Sequence, residues 1–484
     1  MNKKNLFYNT VLSVSQVIFP LIIFPYTFKV LEPEGTGLIS FVENLTVYII
    51  SLAAIGIPIY GVREVAKSKN DHYSLAKLFT SLVFIQFIIT IILTAVYIIL
   101  IFKIDKLSDN KELYFISCAI LFLNVFSLEW FFQGLERFKY VAIRTILIRF
   151  IFIILIFIFV RNREDVVIYY SITFLTTMLN SMINFQQALK FVKFNFRSLE
   201  IKRHIRPLLH IFITTLAINV YIVLDTVILG FLSDRDEVVG FYALAIKICK
   251  IPLALMSALS LVMIPQISTF FSSGNIDQVF NLVNKSFTYI VLLAIPISTG
   301  IFLLAPDLVY LLANENFAPA IPAVRMLSVL TLIIGLNNLF GMQILISMGK
   351  EKLTMYIVSI GMFISVFSNL LLVPVYSYIG TAVSTLVAEL FVTIVTGWYA
   401  IRFIKIKFPL SVVGQSLFAS LFFLPLYFLI SYGFTNPLVK TSLMILGSSV
   451  IYFSILLFLF KNNFLKNIVN TMSIKLINKP GMID

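Results

Sequence analysis

Long apolar segments and short polar loops alternate from one end of the chain to the other. An α-helix needs roughly 20 apolar residues to cross about 30 Å of hydrocarbon, and fourteen segments reach or approach that length. They lie at residues 7–30, 38–60, 76–102, 113–133, 140–160, 166–189, 208–232, 239–268, 286–305, 320–347, 353–375, 378–401, 410–431 and 440–460. The pattern predicts an all-α integral membrane protein with about 14 transmembrane helices.

Composition supports the same class of protein. Hydrophobic residues make up 60% of the chain and charged residues 12%, whereas about a quarter of the residues in soluble domains are charged. The net charge is +14. Since the basic residues cluster in particular loops, we interpret this charge as a topology signal and an affinity for anionic lipid head groups, not for nucleic acid.

The charge of the loops predicts how the chain is oriented in the membrane. The N-terminal tail, the loops after even-numbered segments and the C-terminal tail hold most of the 37 Lys and Arg residues, and the loop at 190–207 alone holds six. Loops on the other side are acidic, as at Glu32, Glu34 and 234–237. Short basic loops stay in the cytoplasm, so both termini are expected to be cytoplasmic.

The basic loop at 190–207 also divides the chain. We expect an N-lobe of segments 1–6, a C-lobe of segments 7–12, two further helices and a cytoplasmic tail. These parts would cover residues 1–195, 196–407, 408–462 and 463–484.

Weak internal similarity suggests that the two lobes are related. An acidic loop followed by glycine occurs at Glu34 and Gly37 and again at Glu237 and Gly240. Because each half has six segments, both begin on the same side of the membrane. They would then be parallel repeats with a central cleft between them.

Charged residues inside the apolar segments are the candidates for function. A charge at the bilayer centre costs about 3 kcal/mol on insertion scales, so it normally faces a bundle interior or a wet cavity. The cations are Arg144, Arg149, Lys247, Lys250 and Arg325, and the acids are Glu43, Glu129, Asp225 and Glu389.

Depth in the membrane separates these candidates. Arg149 and Lys250 are too deep to reach the head groups easily, whereas Arg325 and Glu129 could snorkel to the interface. Asp225 could form a structural ion pair with Lys247. Cations at mid-depth suit an anionic substrate group such as a phosphate or diphosphate, which long basic side chains can follow as it moves.

The sequence gives little sign of catalysis. It contains no P-loop, and its three histidines lack metal-ligand spacing. No nucleophile is paired with a base, and no outer loop exceeds about 15 residues, which is short for a catalytic domain. We therefore predict a protein that is not an enzyme and has no cofactor and no metal.

The end of segment 4 carries a family resemblance. It reads Glu129-Trp130-Phe131-Phe132-Gln133-Gly134-Leu135-Glu136-Arg137-Phe138-Lys139-Tyr140, followed by Arg144 and Arg149. This stretch is similar to the signature of bacterial polysaccharide (O-antigen, Wzx-type) flippases, which belong to the multidrug/oligosaccharidyl-lipid/polysaccharide (MOP) exporter superfamily. Residues 56–64, and Asp225 with Gly230 and 240–247, agree with it, and the resemblance covers essentially the full chain.

The resemblance implies two six-helix, MATE-like lobes plus two C-terminal helices in the bacterial cytoplasmic (inner) membrane. It implies transport of undecaprenyl-diphosphate-linked oligosaccharide repeat units to the outer leaflet by alternating access, for O-antigen, capsule or exopolysaccharide synthesis. Expected partners are this lipid-linked oligosaccharide and membrane lipid. A coupling proton or sodium ion and a polymerase are candidate partners, and nucleic acid is not.

The same resemblance suggests roles for the residues. Substrate-binding candidates are Arg149, Lys247, Lys250, Arg144 and Arg325, and this assignment rests on depth in the membrane. Candidates for ion coupling, or for acids that line a cavity, are Glu43, Asp225, Glu389 and Glu129. Candidates for a gate or lobe contact are Trp130, Gln133, Gly134, Glu136 and Arg137, although Glu136, Arg137 and Lys139 could equally form a solvated loop.

Two alternatives remain open. A multidrug cation antiporter of the same superfamily would favour acidic cavity residues and typically has twelve helices. A membrane polymerase or transferase acting on the same lipid-linked sugar would need a sizeable outer loop.

Overall fold

The computed structural model describes residues 3–462 and 464–466, apart from the side chains of residues 3–7, 9, 17, 213–222, 258 and 261. Every regular element in this part of the chain is a helix, which confirms the all-α class. The tail predicted at 463–484 lies outside the described residues, except for 464–466.

The α-helices of the described residues are, in order, α1 Lys3–Ala54, α2 Ile57–Ser68, α3 His72–Lys103, α4 Asp105–Ser108, α5 Lys111–Asn124, α6 Glu129–Gly134, α7 Phe138–Phe159, α8 Val166–Ala188, α9 Ile201–Leu232, α10 Asp236–Lys250, α11 Leu253–Ser272, α12 Ile276–Leu312, α13 Ile321–Leu327, α14 Leu330–Asn337, α15 Glu351–Phe403, α16 Leu410–Leu421, α17 Phe423–Gly433 and α18 Pro437–Ser454. Short 3-10 helices occupy Phe196–Ser198 and Glu315–Ala320, and π-helical turns occupy Asn338–Ile346 and Ile455–Leu459.

Ten helical stretches of the described chain are long and apolar enough to cross a membrane. The number is eleven if the bent pair Glu315–Leu327 and Leu330–Ile346 counts as one span. A multi-pass membrane protein is therefore confirmed, and the count of fourteen spans stays a prediction.

Two long helices each cover two of the predicted segments. In each of them two helical halves join at a non-helical residue, Glu32 (φ 57°) in α1 and Ser377 (φ 51°) in α15. Pro33 follows Glu32 directly, and proline disfavours the helical conformation of the residue before it. Pro374 lies one turn before Ser377 and removes a backbone donor from α15. Both kinks thus have a local cause.

The chain forms two compact units. Unit 1 comprises Met1–Leu244, Leu312–Pro319 and Met355–Ala388, and unit 2 comprises Ala245–Leu311, Ala320–Thr354 and Glu389–Asp484. Unit 1 therefore includes α9 and much of α15 together with the first eight helices. The lobe boundaries drawn from the sequence remain a prediction.

Glycines allow a close helix crossing inside unit 1. A methyl group added to Gly37 of α1 would overlap the carbonyl of Asp236, and one added to Gly240 of α10 would overlap the carbonyl of Pro33. Small residues let helix backbones approach closely. The two similar glycine-containing stretches of the sequence thus meet where α1 crosses α10.

The C-terminal helices α16–α18 pack within unit 2. They share an apolar cluster with α12 that includes Leu292, Leu304, Phe423 and Tyr452. The Tyr452 hydroxyl also donates a hydrogen bond to the Leu292 carbonyl at 2.8 Å. The two helices that the sequence adds after segment 12 are therefore packed on the body of unit 2.

Candidate functional site

A buried carboxylate lies at the centre of a polar cluster in unit 1. Asp225 of α9 is 7% exposed. Its Oδ1 accepts hydrogen bonds from Ser365 Oγ and from Asn369 Nδ2 (2.8 Å). Its Oδ2 accepts one from Thr385 Oγ1 (2.7 Å), with the Tyr242 hydroxyl 3.4 Å away. These four donors are neutral, and they solvate the carboxylate as water would.

The kink in α15 explains how these side chains meet. Ser365 and Asn369 are four residues apart on the first half of α15, and Thr381 and Thr385 are four apart on the second half. Residues at this spacing share one helix face. The turn at Ser377 brings both polar faces to the α9 carboxylate.

Two side-chain oxygen atoms on these two faces of α15 lack a partner. Asn369 Oδ1 and Thr381 Oγ1 are buried and make no hydrogen bond within the described chain. An unsatisfied buried polar atom costs about 1–3 kcal/mol. A carboxylate, hydroxyls and an amide oxygen are the oxygen donors that hard cations prefer, so the cluster can hold a small cation, or a proton on Asp225.

The other predicted acids lie in different surroundings. Glu43 of α1 is half-buried and interacts with Tyr169 of α8, in unit 1. Glu389 is half-buried in unit 2. Glu129 forms an ion pair with Arg144, as described next. Their proposed roles in ion coupling stay predictions.

Arg144 is buried near the start of α7. Its Nη2 lies 2.7 Å from Glu129 Oε1 and also donates to Thr145 Oγ1 at 3.0 Å. Its Nε and Nη1 atoms are buried and have no hydrogen-bond partner among the described residues. The guanidinium also lies 5.8 Å from the centroid of the Tyr140 ring. Arg144 is therefore a buried cation with two donors that no group of the described chain satisfies.

Arg149 lies further along α7 and contacts α1. Its Nη1 donates to Ser15 Oγ at 2.6 Å, and its guanidinium carbon lies 5.9 Å from the centroid of the Phe19 ring. A hydroxyl and an aromatic face stabilise a cation without neutralising it. Arg149 is thus a half-buried, charged group within an apolar helix.

The remaining predicted cations belong to unit 2. Lys247 is half-buried and Lys250 is exposed, both in the last turn of α10. Arg325 of α13 is exposed, with its guanidinium carbon 5.8 Å from the centroid of the Phe302 ring. The five predicted substrate cations are therefore divided between the two units, and their binding roles remain predictions.

The segment-4 motif forms the short helix α6, which packs tightly inside unit 1. Trp130 is buried and contacts Gly61, and Gly134 contacts Val65. A Cβ atom at either glycine would overlap the facing side chain. Tight packing against α2 thus explains why glycine occupies both positions.

The exposed end of the motif makes surface contacts. Glu136 forms an ion pair with Lys69 at 3.0 Å, and Arg137 lies 5.1 Å from the centroid of the Phe191 ring. Gln133 is half-buried. The gate role proposed for these residues stays a prediction.

Sequence reasoning missed the neutral members of the Asp225 cluster. Ser365, Asn369, Thr381 and Thr385 were not singled out, although their four-residue spacing in apolar helices is a usable signal. It also missed the buried ion pair between Asp307 and Lys440, at 2.8 Å in unit 2. Both residues fall at the margins of predicted segments, where charges are common.

Comparison with known proteins places the chain in a family. The family model described as polysaccharide biosynthesis protein matches residues 3–271, more than half of the chain. The chain belongs to this family. A second family model, MatE, matches residues 211–371. The resemblance to Wzx-type flippases of the MOP superfamily is thereby confirmed.

Relatives of the chain agree with that assignment. A putative O-antigen transporter of Escherichia coli is 26% identical over 403 residues, which cover 81% of this chain and 94% of that protein. A putative O-antigen transporter of Shigella dysenteriae is 21% identical over 402 residues, which cover 81% of this chain and 98% of that protein. A probable low-salt glycan biosynthesis flippase of Haloferax volcanii is 23% identical over 198 residues, which cover 41% of this chain and 42% of that protein.

Solved structures confirm the MATE-like fold. The lipid II flippase MurJ in an inward closed conformation matches with a TM-score of 0.72 and 15% identity, covering 93% of this chain and 99% of that chain. An inward-facing multidrug resistance MATE family transporter of the MOP superfamily matches with a TM-score of 0.66 and 14% identity, covering 82% and 98%. At these identities the likeness concerns the fold alone.

Proposed function

We propose that this protein moves undecaprenyl-diphosphate-linked oligosaccharide repeat units from the cytoplasmic to the outer leaflet of the bacterial inner membrane. The movement occurs by alternating access and supplies O-antigen, capsule or exopolysaccharide synthesis. Both termini are cytoplasmic, the polymerase takes up the product, and no enzymatic step is involved. Family membership supports the flippase part of this proposal, and the substrate is the finer inference.

The observation that carries the proposal is the pair of guanidinium groups on α7. Arg144 and Arg149 stand within the long apolar part of α7, and a charge at the bilayer centre costs about 3 kcal/mol. Arginine binds phosphate groups through several parallel donors. An amphiphilic lipid needs such a polar path for its head group only, because its hydrocarbon tail can remain in the bilayer.

Asp225 supplies the coupling site in this proposal. A sodium ion bound there would be coordinated by the carboxylate and by the unpartnered oxygen atoms of Asn369 and Thr381. A proton on Asp225 would neutralise the same charge. Either cation removes the cost of a buried negative charge, so a cation gradient can favour one conformation over another.

Deletion of the gene tests the transport function. We expect one lipid-linked glycan to accumulate on the inner leaflet and surface polysaccharide to disappear. Arg149→Gln should restore transport about tenfold less well than the wild type or worse, the scale of one charge-assisted hydrogen bond. Arg149→Lys should retain part of the activity, and Arg197→Gln, an exposed loop control, should restore it fully.

Two results would overturn the proposal. A deletion strain with normal polysaccharide and no accumulated lipid-linked glycan excludes this function. Full complementation by Arg149→Gln removes Arg149 from the mechanism.

A multidrug cation antiporter is the second candidate, and the match of the MatE family model to residues 211–371 favours it. The buried carboxylate of Asp225 would then attract a cationic drug. This function predicts that deletion sensitises cells to cationic compounds and leaves the surface polysaccharide unchanged.

A further inference from the structure

We infer that a groove on unit 1, beside the first half of α7, is a docking site for the prenyl-diphosphate end of the lipid-linked substrate. The inference rests on the proposed function and adds a specific subsite to it. The groove has a volume of about 700 Å³, which lies within the range of small-molecule sites. It begins at the end of α7 that the loop charges predict to be cytoplasmic.

One end of the groove is basic. Arg137, Lys139 and Arg144 line it, together with Glu136. Glu136 is already paired with Lys69 at 3.0 Å, and Arg144 is paired with Glu129 at 2.7 Å. Four cations therefore face two carboxylates around this end. The surplus of two positive charges complements a diphosphate.

Apart from Tyr140, the rest of the groove is aliphatic. Its wall is formed by Ile143, Leu147, Ile148 and Ile151 of α7, with Ile183 of α8. Leu147 is 57% exposed and Ile151 40% exposed. From Lys139 to Ile151 the helix rises roughly 18 Å at 1.5 Å per residue. The basic end and the apolar wall thus run in sequence along the membrane depth, as do the head group and chain of a lipid.

Arg144 provides an independent sign of a ligand. It is 5% exposed, lines the groove, and has two buried guanidinium nitrogens without a hydrogen-bond partner among the described residues. Buried charged donors normally have partners, and leaving them unsatisfied is costly. A diphosphate at the basic end would supply acceptor oxygens for both once a rotation of the Arg144 side chain turns them toward the groove.

The chemistry of the groove favours a single-chain prenyl diphosphate over a bilayer phospholipid. The groove has a single basic end beside its apolar wall on α7 and α8, and two positive charges in surplus exceed the single negative charge of phosphatidylglycerol. The occupant we assign is therefore the substrate's own lipid carrier, bound before it is moved.

Binding of farnesyl diphosphate to the purified full-length protein in nanodiscs tests this assignment. We expect saturable binding that farnesol and inorganic diphosphate compete for only weakly, because each lacks one half of the ligand. Arg137→Gln combined with Lys139→Gln should weaken binding about tenfold or more, as expected for lost phosphate contacts. Leu147→Trp, which fills the apolar wall, should weaken it by a similar factor.

Matched controls lie outside the groove lining. Met182→Trp places the same large side chain on an equally exposed position of α8, and Lys193→Gln removes an exposed basic residue of the following loop. Both should bind like the wild type. All variants change exposed positions, so correct folding is expected and can be checked by gel filtration.

Three results would overturn the assignment. They are no binding of farnesyl diphosphate to the wild type, unchanged binding in the groove variants, and displacement of the probe by phosphatidylglycerol at bilayer concentrations. The third result would make the groove a phospholipid site. Since the proposed function is tested separately by glycan accumulation in the deletion strain, transport can stand while this subsite fails.

Discussion

The Nζ atom of Lys440 lies 2.8 Å from Oδ1 of Asp307, with the two side chains 15% and 5% exposed. This ion pair joins α18 to α12 inside unit 2. Because Asp307 is buried, the removal of its partner leaves an uncompensated charge.

We expect Lys440→Met to destabilise the protein by about 3 kcal/mol or more, as is typical when one member of a buried ion pair is removed. The double variant Lys440→Met with Asp307→Leu should recover much of this loss, since it leaves no unpaired charge. Lys405→Met, at an exposed position, is the control. Thermal unfolding in detergent measures all three, and equal stability of Lys440→Met and the wild type would contradict the role given to the pair.

The Asp225 cluster predicts cation-dependent stability. A ligand that binds only the folded state stabilises it by RT ln(1 + [L]/Kd), so sodium should raise the melting temperature of the wild type relative to potassium at equal ionic strength. Asp225→Asn and Thr381→Val should both lose this difference, because each removes an oxygen donor from the cluster.

Thr393→Val is the matched control for that experiment. Thr393 is also a buried threonine, but it donates to the Ile333 carbonyl in unit 2. It should keep the sodium effect. If sodium has no effect and Asp225→Asn instead changes how the melting temperature depends on pH, Asp225 binds a proton. If neither cation acts through Asp225, the coupling role is excluded.

The sequence revealed Asp225 but not its partners, for a physical reason. A carboxylate in an apolar helix stands out because no local group can neutralise it. Asn369 and Thr385 do not stand out, because each can bond to its own helix: Asn369 Nδ2 donates to the Ser365 carbonyl at 2.9 Å, and Thr385 Oγ1 donates to the Thr381 carbonyl at 3.0 Å. Neutral polar residues are therefore unremarkable in a membrane helix until the tertiary fold groups them.

The helix boundaries also show what the local sequence can and cannot predict. Apolar length predicts the segments well, because membrane thickness sets it. The acidic residues around Glu32 predict a break between two segments, and the two helical halves of α1 join there at a single non-helical residue. Pro33 signals this break, whereas the close crossing with α10 at Gly37 and Gly240 is a tertiary contact that no local pattern specifies.

The segment-4 motif should behave as a packing element. Gly134→Ala introduces a methyl group that overlaps the Val65 side chain, and overpacking of this kind costs about 1–3 kcal/mol. Gly414→Ala is the control, because a Cβ atom there meets nothing within 4 Å and alanine favours a helix. Thermal unfolding should show a loss for the first and no loss for the second; equal behaviour would mean that α2 and α6 separate easily, as in a gate.

The contact between Tyr60 and His204 predicts a pH-dependent stability. The Tyr60 hydroxyl lies 2.8 Å from His204 Nδ1, and His204 is buried in the first turn of α9, ahead of the apolar segment at 208–232. Burial, assisted by the nearby Arg203 charge, lowers the pKa of His204 below its ordinary value of about 6.5. The neutral ring is thus the form that the folded protein prefers.

Proton binding determines whether the free energy of unfolding rises or falls with pH. The unfolded chain binds a proton at His204 more readily than the folded protein, so the free energy of unfolding rises with pH. This contribution is complete above about pH 6.5, the unfolded pKa, and is lost as the pH falls through the lower folded value. Melting temperatures between pH 5 and 7.5 should therefore increase with pH in the wild type. His204→Gln, which keeps an acceptor for Tyr60, should flatten this increase, while His72→Gln at an exposed position should leave it unchanged; a wild-type slope that survives in His204→Gln would assign the titration to another group.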